Sequence, residues 1–288
     1  MGQELSYWTA AERNSVVGLP RDNPEGENLI ASARSVRLFL GEEETRALLQ
    51  EVPRAYHTQI NDVLLSAMAE GFAEWSGERR LLVDLEGHGR EELGEEVDVS
   101  RTVGWFTTLF PILLEVGEGS DPGATLKRIK EQLRGVPKRG LGYGLLRSMR
   151  GEEGLTGKLA RMQKAEIIFN YLGQLDQILD PGMYVPAKES SGPQQDLGSR
   201  RTHLLEVKGS VMEGCLQLEW TYSEHIHNEA TIKQLAQACV AALRRLIEHC
   251  VSDGAGGYTP SDFPKAKLGQ ADLDKLVAQI AQHRRVSQ

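Results

Sequence analysis

The chain lacks most of what would place it in a membrane, a disulfide-stapled scaffold or a nucleic-acid complex. No apolar run approaches the roughly 18 residues that a membrane-spanning helix needs. Met1–Trp8 has no basic region followed by an apolar core, so no signal peptide is read there. Gly2 and Ser6 satisfy a short myristoylation pattern, which is frequent by chance and carries little weight. Cysteine is scarce: Cys215, Cys239 and Cys250 suggest neither a disulfide framework nor a zinc site. Cys239 and Cys250 fall about three turns apart on one helical pattern, too far to bridge. A reducing, cytoplasmic setting is expected. Basic residues are outnumbered, 33 Lys and Arg against 41 Asp and Glu, for a formal charge of −8. No basic stripe interrupts the mixed-sign surface, which argues against nucleic acid as a partner. There is no internal repeat.

What remains is an ordinary globular composition, 40% hydrophobic and 26% charged over 288 residues, enough for one large domain or two small ones. Ser32–Leu40 alternates at Val36, Leu38 and Leu40 and predicts a strand. Glu42–Gln50 reads as a short helix stopped by Pro53. Thr58–Trp75 repeats Ile60, Val63, Leu64, Ala67, Met68 and Phe72 at helical spacing and ends at Ser76-Gly77. Leu81–Leu85 is a buried strand, and Thr107–Val116 another, confined by Pro111 to an edge or a bulge. Asp121-Pro122 is a helix start, with Leu126, Ile129 and Leu133 as its buried face. Gly140–Gly144 reads as a loop, Ala165–Tyr171 as a strand followed by a turn at Gly173, and Lys188–Arg200 as a mobile surface loop. Leu204–Val211 and Leu216–Thr221 form a hairpin around Glu213-Gly214. Thr231–Cys250 is a second strong helix, and Leu273–Ile280 a final one after a linker at Gly256-Gly257. Strands and helices interleave without strict βαβ order, so the class is α/β with a mixed sheet flanked by helices.

The most informative stretch is Glu86-Gly87-His88-Gly89-Arg90-Glu91, with Arg101–Thr107 (RTVGWFT) following. A carboxylate leaves a buried strand beside two glycines, which let another backbone or a ligand come close. That makes Glu86 a candidate general base, with His88 and Arg90 within four residues. On residue type alone, a glutamate at a strand end is more often a solvated turn residue. His88 equally suits a structural loop role, and Asn170-Tyr171 plain strand-end hydrogen bonding. Trp105 and Trp75 suit a core. His225-x-His227 lacks the third nearby ligand a metal site requires. The acidic runs Glu42–Glu44 and Glu91–Glu96 read as solvated faces.

Taken together, ordered segments resemble the motifs of epimerization domains of nonribosomal peptide synthetases, relatives of the condensation domains. Asn61–Gly71 (NDVLLSAMAEG), Glu86–Leu93 (EGHGREEL) and Arg101–Pro111 (RTVGWFTTLFP) carry the first three. Pro137 with Gly140–Gly144, and Phe169–Gly173 (FNYLG), carry the last two, and Tyr258–Asp262 resembles the family's exit linker. A condensation domain proper would show Phe-Val-Asn where Trp105-Phe106-Thr107 stands, so epimerization is favoured. The resemblance implies one lobe of a two-lobed, acyltransferase-like fold. Residues 1–30 would be the entry segment from an N-terminal lobe, 31–254 the C-terminal lobe, and 255–288 the exit linker and terminal helix. The family also uses a His-His-x-x-x-Asp-Gly motif in the N-terminal lobe, and no two histidines are adjacent here. The chain is therefore expected to lack that lobe.

The implied reaction inverts L to D at the α-carbon of an aminoacyl or peptidyl thioester. The thioester is held on the 4'-phosphopantetheine arm of a peptidyl carrier protein, and the chain needs no cofactor of its own. Glu86 would act on one face and the N-terminal lobe's histidine on the other. Burial should raise the Glu86 pKa toward roughly 6–7 for it to work near neutrality. Arg90 would orient Glu86 at a distance or meet the substrate, and Asn170 and Tyr171 would line the site and stabilise an enolate oxygen. His88, Trp105 and Tyr143 are candidate substrate-binding residues, Trp105 as an apolar wall. No metal is implied. Two other readings stay open: a non-catalytic, carrier-binding remnant, or a lobe of a peptide-bond-forming condensation domain. Partners are then the carrier protein, the missing lobe and, through an uncovered lobe interface, a second copy of the chain; no membrane partner is expected.

Overall fold

In the computed structural model, the described residues are 2–90, 98–119, 121–148, 153–175, 189, 192 and 195–286. In chain order they form α1 (Gly2–Trp8), a 3₁₀ turn (Ala11–Asn14), β1 (Ala33–Phe39), α2 (Glu42–Gln50), α3 (Val52–Tyr56) and α4 (Ile60–Ser76). Then follow β2 (Arg80–Gly87), β3 (Thr108–Glu115), α5 (Pro122–Arg134), a 3₁₀ turn (Pro137–Gly140), α6 (Leu141–Ser148) and α7 (Glu153–Arg161). The chain closes with β4 (Ile167–Gln174), β5 (Leu205–Met212), β6 (Cys215–Ser223), α8 (Glu229–Val251), a 3₁₀ turn (Pro260–Asp262) and α9 (Gln270–Val286). The strands make one six-stranded sheet in the order β1-β6-β5-β4-β2-β3. β4 runs parallel to both β2 and β5, and the remaining pairs are antiparallel. The sheet is mixed, as the interleaved pattern predicts.

The core sits between this sheet and α4 and α8. Val83, Leu85, Ile112, Ile167, Val207, Leu218 and Trp220 alternate along the strands, and all are buried. α4 and α8 press on them with Val63, Leu64, Met68, Leu235, Cys239 and Leu243. The two helices lie so close at Gly71 that a β-carbon there would stand 2.6 Å from the Cys239 Cα. β3 is an edge strand, and Pro111 sits within it where a missing N–H costs no ladder bond. Asp121 caps α5 by accepting from the Gly123 N–H at 3.0 Å.

Several expectations are corrected. Pro53 occupies the first turn of α3 rather than simply ending the chain's helical course. Gly140–Gly144 is not a loop: the 3₁₀ turn ends at Gly140, and α6 carries Gly142 and Gly144. Gly173 lies inside β4, beside an irregularity in its pairing with β5. α1 and α7 have no counterpart in the sequence reading. Trp75 packs partly buried against the core as expected, whereas Trp105 is 90% exposed. All three cysteines are free thiols. The acidic run 91–96, and residues 188, 190, 191, 193 and 194 of the surface loop, lie outside the described residues.

Candidate functional site

Parallel pairing sets the first element of the site. Leu85 of β2 is level with Phe169 of β4, so the next residues along each strand, Glu86 and Asn170, come side by side. The Asn170 amide donates to Glu86 Oε2 at 2.5 Å. Glu86 Oε1 has no hydrogen-bond partner among the described residues. This pair opens onto a cleft of about 450 Å³, walled by Leu85, Phe110, Leu133, Val136 and Phe169 and edged by His88, Tyr171, Arg134 and Arg139. Burial pushes the Tyr171 phenol above its ordinary pKa, so its O–H stays a donor through neutral pH. Four of the seven predicted site residues, Glu86, His88, Asn170 and Tyr171, therefore share one cleft.

The burial expected of Glu86 is not found: the residue is exposed. The other three predicted residues go elsewhere. Arg90 turns away from Glu86; it donates to the carbonyls of Val99 at 2.5 Å and Gly104 at 3.3 Å and lies 4.4 Å over the Phe106 ring. It fastens the loop before β3. Trp105, on that loop, points into solvent and does not wall the cleft. Tyr143 packs on Trp8 at 4.9 Å and lines a separate groove of about 620 Å³ with Leu109, Leu141, Leu145 and Arg147. Thr107 borders both cavities.

The glycines around Glu86 have a specific task. Gly89 takes φ +66°, and a β-carbon there would stand 1.6 Å from the Phe106 carbonyl oxygen. Only glycine lets the 104–106 backbone lie against this turn. His88 accepts the Arg90 backbone N–H on Nδ1 at 3.0 Å, which ties its ring to the same turn.

Sequence reasoning missed the opposite wall. Asp62, 1% exposed, accepts both Arg134 nitrogens at 2.9 and 2.8 Å and the Gln59 N–H at 2.6 Å. This bidentate pair joins the start of α4 to the end of α5 and, with Gln59 and Asn61, lines the cleft. A carboxylate among the apolar positions of an amphipathic helix is the available signal, but its partner is 72 residues away. Arg139, also on the rim, follows Lys138 in a left-handed pair (φ 50° and 45°) that is costly for non-glycine residues. Lys138 is tied there by an ion pair to Glu4 at 2.8 Å. Of the His225-x-His227 pair, His227 is buried with Nε2 at 2.9 Å from the Pro20 carbonyl oxygen.

A mixed six-stranded sheet flanked by helices, with a carboxylate-bearing cleft where the parallel β2–β4 pairing ends, matches the condensation/epimerization fold. The Condensation domain family model matches residues 1–268, and the chain belongs to that family. It is 45% identical over 276 residues to a linear gramicidin synthase polypeptide of Brevibacillus parabrevis, covering 95% of this chain and 5% of that protein. It is 37% identical over 276 residues to surfactin synthase subunit 1 of Bacillus subtilis (strain 168), covering 96% of this chain and 8% of that one. The crystal structure of the epimerization domain from the third module of tyrocidine synthetase B superposes with a TM-score of 0.78 at 33% identity. That match covers 87% of this chain and 56% of the other. The chain thus spans a small part of the curated synthetases and about half of the solved epimerization domain.

Proposed function

We propose that this lobe carries the carboxylate half of an epimerization site for a thioester delivered on the phosphopantetheine arm of a carrier protein. The observation that supports this most is the Glu86–Asn170 pair at the cleft, with one carboxylate oxygen held and the other open. Likeness to an epimerization domain at 33% identity supports the same reading. Glu86 Oε1 removes the α-proton, and the electron pair of that C–H bond moves through the α-carbon to the thioester oxygen. The Tyr171 O–H lies on the same rim and donates a hydrogen bond to the developing enolate. The apolar walls exclude water, and the arriving substrate supplies the burial that exposed Glu86 lacks. A proton returned to the opposite face completes inversion. The group that returns it is assigned to the His-His-x-x-x-Asp-Gly segment of an N-terminal lobe.

The test is α-deuterium uptake in D₂O by an L-aminoacyl or peptidyl thioester on a carrier protein. The chain is assayed with and without an N-terminal lobe, beside Glu86→Gln. Uptake that falls roughly a hundredfold or more in Glu86→Gln is the expected result. Uptake indifferent to Glu86→Gln would overturn the assignment. Amide formation with an acceptor thioester, without α-exchange, would instead mark a condensation lobe. Silence in both assays with the chain folded would leave a carrier-binding module.

A further inference from the structure

The exit segment is fastened to the same elements that form the cleft wall. Lys130 of α5 is 1% exposed, and its Nζ donates to the Tyr56 carbonyl at 2.8 Å and to Asp262 Oδ1 at 2.6 Å. Asp262 also accepts the Thr259 N–H at 2.8 Å. Around this centre the segment is stitched on at several further points. The Gly257 N–H donates to the Ala55 carbonyl at 2.9 Å, the Ser261 N–H to Glu131 Oε1 at 3.2 Å, and the Tyr258 ring stacks on His57 at 5.0 Å. One helical turn along α5 from Lys130, Arg134 grips Asp62 at the cleft.

Residues 56–62 are thus held at both ends by α5, at the Tyr56 carbonyl and at the Asp62 carboxylate. Between those points His57 takes a left-handed φ of 53°, and Gln59 opens α4 and lines the cleft. A left-handed non-glycine residue persists only where its surroundings hold it. Here the surroundings are Tyr258 and the Lys130 bond to the preceding carbonyl.

We propose that Lys130 and Asp262 form a positioning pair for the cleft: by seating the exit segment on α3 and α5, they fix the 56–62 connector and the wall made by Gln59, Asn61 and Asp62. Its catalytic consequence rests on the reading of this cleft as the epimerization site; its structural content does not. A buried ammonium left without its carboxylate, or a carboxylate left without its ammonium, is strongly destabilising locally. The disturbance then travels along a connector of a few residues to the cleft.

The test compares wild type with Lys130→Met, Asp262→Asn and Tyr258→Ala by peptide-resolved amide hydrogen exchange. The α-deuterium assay is run alongside with the complementing lobe present. Expected is exchange faster by roughly tenfold or more at 257–262 together with 57–62, while β5, β6 and α8 keep their protection. The epimerase readout should lose kcat by roughly tenfold to a hundredfold with KM nearly unchanged, the signature of a misplaced wall rather than lost binding. If Lys130→Met loosens the whole chain, the milder Tyr258→Ala and Asp262→Asn decide. Loosening confined to 257–262, or no loosening in any variant, would overturn the positioning role. An inactive wild type would overturn the epimerase reading instead, and the exchange pattern would still decide whether the pair holds the wall.

Discussion

Asn170 donates its amide to Glu86 Oε2 at 2.5 Å, so residue 170 stands directly against that carboxylate. Asn170→Asp would set two carboxylates at hydrogen-bonding distance. Like charges so close cannot both ionise easily, and the pair titrates with one strongly raised macroscopic pKa. Proton abstraction needs an open, ionised oxygen. The acidic limb of the pH–rate profile for α-exchange should therefore move to higher pH in Asn170→Asp. In Asn170→Ala, where the amide donor is lost without a new charge, kcat should fall. An unmoved limb in the aspartate variant would mean that residues 86 and 170 are not neighbours in the working site. Glu86 and Asn170 are legible in the sequence because each follows directly on an apolar run, and parallel pairing then makes them level. Arg90 is not. Its reach of several bonds lets it choose among many acceptors, and it takes the Val99 and Gly104 carbonyls rather than a place near Glu86. Trp105 misleads for a related reason: an aromatic suits burial, yet nothing in local sequence says what lies above a loop.

Elements with long, regular periodicity are legible nearly to their ends. α4, α8 and the β5–β6 hairpin follow from their apolar spacing, and α5 from its Asp-Pro start. α6 escapes a sequence reading because two glycines outweigh Leu141, Leu145 and Leu146. Gly142 faces α1: a β-carbon there would come within 2.1 Å of Glu4 Oε2, at the end of a side chain that can swing aside. Contacts between distant segments of this kind are invisible to a local reading. The junction of residues 20–22 with the start of α8 is another such contact, and it is pH-sensitive. Asp22 accepts from the Asn228 N–H at 2.7 Å and from the Thr231 hydroxyl at 2.9 Å, capping α8 from outside. Next to it His227 donates from Nε2 to the Pro20 carbonyl, and its buried Nδ1 has no partner among the described residues. Burial, outweighing the opposing pull of that carbonyl, holds the His227 pKa below its ordinary 6.5. The unfolded chain then binds this proton more readily than the folded one. The contribution of His227 is complete above the ordinary histidine value and is lost as pH falls from 6.5 toward the depressed folded value. Denaturant melts across that window should show a stability loss that His227→Gln flattens. An equal slope in both proteins would sink this account.

At the scale of the molecule, burial is uneven in a way that composition cannot reveal. One face of the sheet is sealed by α4 and α8. Around the β3 edge, by contrast, apolar side chains face solvent: Val103 is 99% exposed, Trp105 90%, Leu145 59% and Leu109 40%. Leu109 and Leu145 share the groove beside Tyr143, and Trp105 lies on the loop that leads into β3. An overall formal charge of −8 opposes association only weakly at ordinary salt, because separated surface charges are screened. Exposed apolar surface of this kind favours a partner. Without one, the chain should meet itself. Sedimentation velocity should show association that grows with protein concentration and weakens in Trp105→Ser. That variant should melt like wild type, because an indole this exposed contributes little burial. Trp8 and Trp220 are buried, Trp75 is partly buried and Trp105 is 90% exposed, so the reddest part of the tryptophan fluorescence belongs to Trp105 and should shift to the blue as the chain associates. A monomer at every concentration, with Trp105 emission fixed, would show that this edge needs no cover.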